Sequence, residues 1–152
     1  MSEVSLRAIT PDDLPALFEN QHDPASAAMA GVPVREEEEF YLHRPKIEAD
    51  PASETRAIMV DGELAGDTLS WADEGGRHVG YRIAQRFWGR GIATTALRLF
   101  VAELTERPLN ADLLQTNIGS RRVLEKCGFR MLAPDELPAD AEPESYYFRL
   151  DA

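Results

Sequence analysis

The chain has 152 residues, 43% of them hydrophobic, enough to bury one continuous core without disulfides or metal staples. Its net charge of −11 at pH 7 excludes general nucleic-acid binding, which rests on a basic footprint. One cysteine, Cys127, excludes an intrachain disulfide framework and fits a reducing cytoplasm, and no apolar run nears the roughly 20 residues that span a bilayer.

In chain order, the start from Met1 to Arg7 lacks the basic and apolar segments of an export signal. Val4 to Ile9 alternates apolar and polar residues and predicts a first strand. Thr10-Pro11-Asp12-Asp13 opens a helix, with Thr10 as N-cap, Pro11 in the first helical position and acids in the first turn. Leu14, Leu17 and Phe18 form its apolar stripe. Further helices are expected over Pro24 to Ala30 and over Glu36 to Ile47, the Glu36–Glu39 run being a solvated face. Arg56 to Val60, Asp61-Gly62 and Glu63 to Trp71 predict a hairpin, because Asp-Gly supplies the positive φ angles of a type I′ turn.

A turn at Glu74-Gly75-Gly76 leads into a third meander strand, Arg77 to Ala84. Val79, Tyr81 and Ile83 share one face of it, and His78, Gly80 and Arg82 the other. Ala93, Ala96, Leu97, Phe100 and Leu104 recur at three-four spacing and predict a helix from Gly91 toward Thr105. Leu109 to Leu114 reads as a strand. Asn117 then caps a helix whose apolar side is Ile118, Val123, Leu124 and Cys127; Gly128 stops it in the left-handed region, with Phe129 as the contact beyond. Pro134 to Pro143 is a proline- and acid-rich loop, and Ser145 to Leu150 a closing strand. The order predicts an α+β fold with a mixed sheet, as one domain over residues 1–152.

Residues 85 to 94, Gln-Arg-Phe-Trp-Gly-Arg-Gly-Ile-Ala-Thr, hold the strongest chemical signal. Gly89 and Gly91 join a strand to a helix start, where unpaired amides and the positive end of the macrodipole suit a phosphate. Without side chains there, a ligand can approach the backbone closely. From Arg77 to Arg130 ten Lys/Arg face four Asp/Glu, a local +6 that leaves −17 for the rest. The basic island favours an anionic ligand at the turn, while the acidic remainder suits a cationic substrate or serves solubility alone. No Gly-Lys-Ser/Thr follows the glycines, so a Walker A loop is absent. A turn placed mid-chain after a meander also matches the Rossmann fingerprint poorly.

Arg86-Phe87-Trp88-Gly89-Arg90-Gly91 resembles the Arg/Gln-x-x-Gly-x-Gly/Ala signature of the GNAT superfamily of acyl-CoA-dependent N-acetyltransferases. Asn117-Ile118-Gly119-Ser120, continuing through Val123-Leu124-Glu125-Lys126-Cys127-Gly128-Phe129, resembles its second signature. The Tyr-x6-Trp-Gly-Arg-Gly-Ile-Ala-Thr-x-Ala-Leu phrase is similar to the branch holding the ribosomal-protein N-terminal acetyltransferases RimJ and RimL. The resemblance implies a mostly antiparallel, twisted sheet of about seven strands, helices on both faces and a splayed central strand pair. It implies acetyl-CoA as acyl donor, with Ile83, Ala84 and Gln85 facing the pantetheine arm. Arg86, Gly89, Arg90, Gly91, Ile92, Ala93 and Thr94 would surround the pyrophosphate, and Asn117 would reach the arm near the thioester.

For catalysis the resemblance points to Ser120, which would donate to the departing thiolate; the tyrosine that many relatives carry for this task is Leu124 here. A carboxylate frequent on the preceding strand is also missing. The nearby ionisable groups are Asp67, Asp73, Glu74 and His78, with His78 and Glu74 taken as candidates acting through water. No metal is expected, and Cys127 is read as a core residue. An α-amine has a pKa of about 7.7–8.0 against about 10.4 for lysine, so lysine deprotonation costs roughly 3 kcal/mol more. A site without an evident strong base leans toward peptide N-termini or weakly basic small amines. The alternative is an acyl-CoA-binding sensor without catalysis. Expected partners are an amine, small molecule or protein N-terminus; no membrane is expected, and homodimer formation is left open.

Overall fold

In the computed structural model, which describes residues 3–23 and 36–152, the strands are β1 (Val4–Arg7), β2 (Glu54–Val60), β3 (Glu63–Asp73), β4 (Gly76–Ile83), β5 (Leu109–Leu114), β6 (Arg130–Met131) and β7 (Ser145–Leu150). The helices among these residues are α1 (Leu14–His22), α2 (Glu37–Ala49), α3 (Ile92–Glu103) and α4 (Ile118–Lys126). The helix expected over Pro24 to Ala30 lies outside the described residues. The strands build one sheet in the order β1-β2-β3-β4-β5-β7-β6. Every pairing is antiparallel except β4 with β5.

Local chemistry accounts for most boundaries. Asp61 (φ 50°) and Gly62 (φ 85°) take the left-handed conformations that a two-residue turn between twisted strands needs, and β2 and β3 pair from Val60↔Glu63 onward. The Thr10-Pro11 start forms a 3-10 turn (Pro11–Asp13) that leads into α1. There the Asp13 carboxylate accepts the Thr10 amide at 2.8 Å and Arg7 binds it bidentately, 2.8 Å on each side. Glu36–Glu39 are all exposed, as a solvated face requires, and α2 runs two residues beyond the expected Ile47 despite Pro45 inside it. α3 ends at Glu103, short of Thr105. The helix stop after α4 is as the sequence predicts: Gly128 has φ 91° and the Phe129 amide bonds the Leu124 carbonyl at 3.0 Å.

Two sides of the sheet are covered. Val79, Leu97, Phe100, Leu109, Leu124 and Phe148 belong to one core cluster, and Ile58, Ile83, Phe87, Ile92 and Ala96 to a second. Both put α3 on the face that carries Val79, Tyr81 and Ile83. Side chains alternate along a strand, so Asp67 and Arg82, which are register partners across β3–β4, point to the other face. There Asp67 meets Arg44 of α2 at 3.0 Å, and Phe18 of α1 stacks near Phe40 of α2 at 5.4 Å. Among the described residues no helix is long and apolar enough to cross a membrane.

Candidate active site

β4 and β5 part company almost at once. Their parallel ladder holds only Arg77↔Leu109 and His78↔Asn110, although β4 runs on to Ile83 and β5 to Leu114. The Ala84 amide bonds Ala65 at 2.8 Å. In an antiparallel ladder backbone groups point to alternate sides, so the odd-numbered residues Val79, Tyr81 and Ile83 turn theirs toward β5; the His78↔Asn110 bridge takes the Val79 amide, and from Tyr81 onward the ladder has ended. A cavity of about 840 Å³ enters this gap, lined on one side by Val79 to Ile83 and on the other by Ala111 to Leu114. Ile83 lines it, and its carbonyl already accepts the Trp88 indole at 2.9 Å. Ala84 and Gln85 lie off the lining. Gln85 instead starts a 3-10 turn (Gln85–Phe87) that consumes the Phe87 and Trp88 amides.

The glycine turn sits at the mouth of the gap. Gly89 (φ 76°) and Gly91 (φ 73°) are both left-handed, and a Cβ at either would meet nothing within 4 Å, so the space before them is open. Gly91 is the N-cap of α3 and supplies no side-chain cap, while the first intrahelical bond runs from Thr95 to the Gly91 carbonyl at 3.2 Å. The Ile92, Ala93 and Thr94 amides therefore have no acceptor among the described residues, and all three residues line the cavity with Gly89 and Gly91. Arg122 and Lys126 of α4 line it too. Open amides, a helix N-terminus and two cations make this end of the cavity anion-seeking.

Arg86 and Arg90 are arranged differently. Arg86 binds Glu63 at 2.8 Å and Arg90 approaches Asp61 at 4.0 Å, both across the β2–β3 turn and both partly in solvent. Both guanidinium groups also lie over the Phe87 ring, at 4.4 and 5.6 Å. Phe87 is a core residue; Trp88 is 41% exposed and anchored through its indole.

Asn117 and Ser120 meet at the start of α4. The Asn117 side-chain oxygen accepts the Ser120 amide at 3.1 Å, and both residues line the cavity. The Ser120 hydroxyl is 2.8 Å from the Tyr81 hydroxyl, across the gap between α4 and β4. Burial pushes the Tyr81 phenol above its ordinary value, opposed in part by the Ser120 bond, so it stays protonated at neutral pH. Sequence reasoning gave Tyr81 no role. The available signal was the alternation that puts it between Val79 and Ile83 on the helix face. Cys127 donates to the Thr94 carbonyl at 3.6 Å, and burial raises its thiol, as befits a packing residue.

His78 and Glu74 are not brought to the cavity. His78 stacks on Trp71 with ring centroids 5.6 Å apart and holds Asp73 at 2.7 Å near the β3–β4 turn, where that bond lowers the Asp73 carboxyl. Glu74 sits in the turn itself, away from the lining. Asp67 does line the cavity, buried, with desolvation raising its carboxyl and Arg44 opposing. Among the described residues no three His, Cys, Asp or Glu side chains are grouped as a metal centre needs.

Solved structures share this architecture. An acetyltransferase from Agrobacterium tumefaciens superposes with a TM-score of 0.82 at 20% identity, over 98% of this chain and 91% of that one. A domain from Methanocaldococcus jannaschii gives 0.84 at 17% identity over the whole of both chains. The aminoglycoside acetyltransferase AAC(6')-Ib, solved in complex with coenzyme A, gives 0.77 at 20% identity over 98% and 95%. At these identities the likeness establishes the fold. No curated protein matches the chain in sequence. The model of the acetyltransferase (GNAT) domain matches residues 3–130, most of the chain and both the glycine turn and the Asn117–Ser120 segment, and the protein belongs to that family.

Proposed function

We propose that this protein, as a single domain, transfers an acetyl group from acetyl-CoA directly to a primary amine in a ternary complex, and that it falls in the RimJ/RimL-like branch. One observation carries the reading: the free amides of Ile92, Ala93 and Thr94 and the unpaired inner edge of β4 open into the same cavity. The structurally similar AAC(6')-Ib, solved with coenzyme A and with ribostamycin and coenzyme A, supports the donor class.

Bound acetyl-CoA supplies an acyl thioester. The α3 amides, with Gly89 and Gly91 keeping the approach clear, hold its diphosphate. The backbone N–H of Tyr81, the first on β4 beyond the ladder to β5, stabilises negative charge on a carbonyl oxygen placed against it. Ser120 gives its hydroxyl proton to the departing sulfur and takes one from Tyr81, which water reprotonates in turn, so the Tyr81–Ser120 pair takes the place of the tyrosine absent at Leu124. Asn117 orients Ser120 by capping its helix. The amine enters from the α1–α2 face, and its proton leaves to water.

Isothermal titration with coenzyme A and amine-dependent thiol release from acetyl-CoA test the reading. Coenzyme A binding with turnover of at least one amine is expected. Failure to bind coenzyme A would end the proposal, and binding without turnover across a broad amine panel would favour the sensor alternative.

A further inference from the structure

The cavity does not stop at the β4–β5 gap. It continues over the opposite face of the sheet, under α1 and α2, where Leu17, Phe40 and Leu69 form apolar walls beside Arg44, Asp67 and Arg82. These three charges are unequally satisfied. Arg44 is committed to two carboxylates, Asp67 at 3.0 Å and Glu48 at 3.3 Å, and the Thr55 hydroxyl donates to the second Glu48 oxygen at 2.6 Å. Arg82 stands directly opposite Asp67 in the β3–β4 ladder, yet its side chain makes no hydrogen bond among the described residues and its Nε is buried without a partner. Residues 24–35 contain no Asp or Glu, so that segment has no carboxylate to offer it. Burial works against the Arg82 charge, but a guanidinium does not give up its proton.

We propose that Arg82 receives a carboxylate on the acceptor, so that the amine substrate is amino-acid-like, with its carboxylate close to the reacting amine. The inference rests on the transferase reading above and names the substrate class for the same cavity. The planar guanidinium fork matches a carboxylate bidentately; Asp67 attracts Arg82 electrostatically but is hydrogen-bonded to Arg44, and the ligand supplies the hydrogen-bonded partner that Arg82 lacks. Tyr81 and Arg82 are consecutive and leave opposite faces of β4. An acceptor anchored on Arg82 with its amine a bond or two away therefore presents that amine at the strand edge, across β4 from Ser120. A polycationic acceptor would instead face Arg44 and Arg82 over one carboxylate already tied to Arg44. The acidity of the whole chain thus does not extend to this floor.

The test uses the full chain, and coenzyme A binding is measured first, because its loss would remove the transferase reading itself. A panel of amino acids and their carboxamides is then compared in thiol release from acetyl-CoA and in titrations against the coenzyme A-loaded protein. For the preferred side chain, Arg82→Gln is expected to lower the acid-to-amide ratio of kcat/KM by about 10- to 100-fold, the loss of one charged bidentate contact. The difference in amine basicity cancels, because each acceptor is compared in both proteins. Coenzyme A affinity is expected to hold and the melting temperature to fall only slightly, since Arg82→Gln breaks no hydrogen bond within the fold and Asp67, which loses the Arg82 attraction, keeps Arg44 at 3.0 Å. An unchanged ratio would overturn the proposal, as would binding of no amino acid to the loaded protein. A large fall in melting temperature would assign Arg82 to the fold and overturn it too.

Discussion

Replacing Gly91 by valine separates a binding turn from a merely structural one. Gly91 has φ 73°, and a Cβ there meets nothing within 4 Å, so the cost to the fold is conformational alone. An L-residue in this region costs about 1–2 kcal/mol, with a β-branched one at the upper end. For a chain of this length that lowers the melting temperature by about 4–8 °C. The cost to ligand binding is larger. Valine methyls project into the open space before the Ile92, Ala93 and Thr94 amides and keep a phosphate off at least two of them. At about 1.5–3 kcal/mol per hydrogen bond to a charged group, affinity for coenzyme A falls by roughly 100-fold or more. Gly62→Val is the control: φ is 85°, a Cβ there also meets nothing within 4 Å, and the residue is off the cavity lining. It is expected to lose similar stability and to keep its affinity. Isothermal titration and thermal melts read both variants. A folded Gly91→Val protein that binds coenzyme A like the parent would refute the reasoning.

Ser120→Ala and Tyr81→Phe are expected to lower kcat, about 100-fold for Ser120→Ala, with the KM for acetyl-CoA little changed. Because the two hydroxyls act as a unit, the double variant should be no worse than Ser120→Ala, and additive losses would separate them. Arg44→Met leaves the Asp67 carboxylate buried without its partner and is expected to cost about 3 kcal/mol or more by denaturant melts, largely restored by adding Asp67→Leu. Asp13 has its carboxyl lowered to about 2, chiefly by the Arg7 hydrogen bonds. A depressed carboxylate adds stability above its unfolded value near 4, and that stability is lost as pH falls from about 4 toward 2. With Arg7 40% exposed the contribution is about 1–2 kcal/mol, and Asp13→Asn should flatten stability over that window. An unchanged acid transition in that variant would place the stabilisation elsewhere.

Much of the molecule is written in short-range chemistry. Asp61-Gly62 specifies its turn, Thr10 to Asp13 its helix start, and Asn117 and Gly128 the two ends of α4. Each is decided by residues a few positions apart, which is why it can be read without a fold. The same holds for the glycine turn at Gly89 and Gly91, where backbone dihedrals and a helix start leave the amides open by themselves. What the sequence left undecided depends on register and on contacts between distant segments. The Tyr81–Ser120 pair spans 39 residues and the Arg44–Asp67 pair 23, and neither pairing follows from any local pattern. Arg86 and Arg90 stand beside the glycine turn in sequence, yet the β2–β3 turn delivers Glu63 and Asp61 to them. His78 and Glu74 lie close in sequence to β4 but at the wrong end of it, because the ladder to β5 holds at Arg77 and His78 and opens only beyond. Chain neighbours set which groups are left unpaired; the packing of strands and helices decided which of those groups face the same cavity.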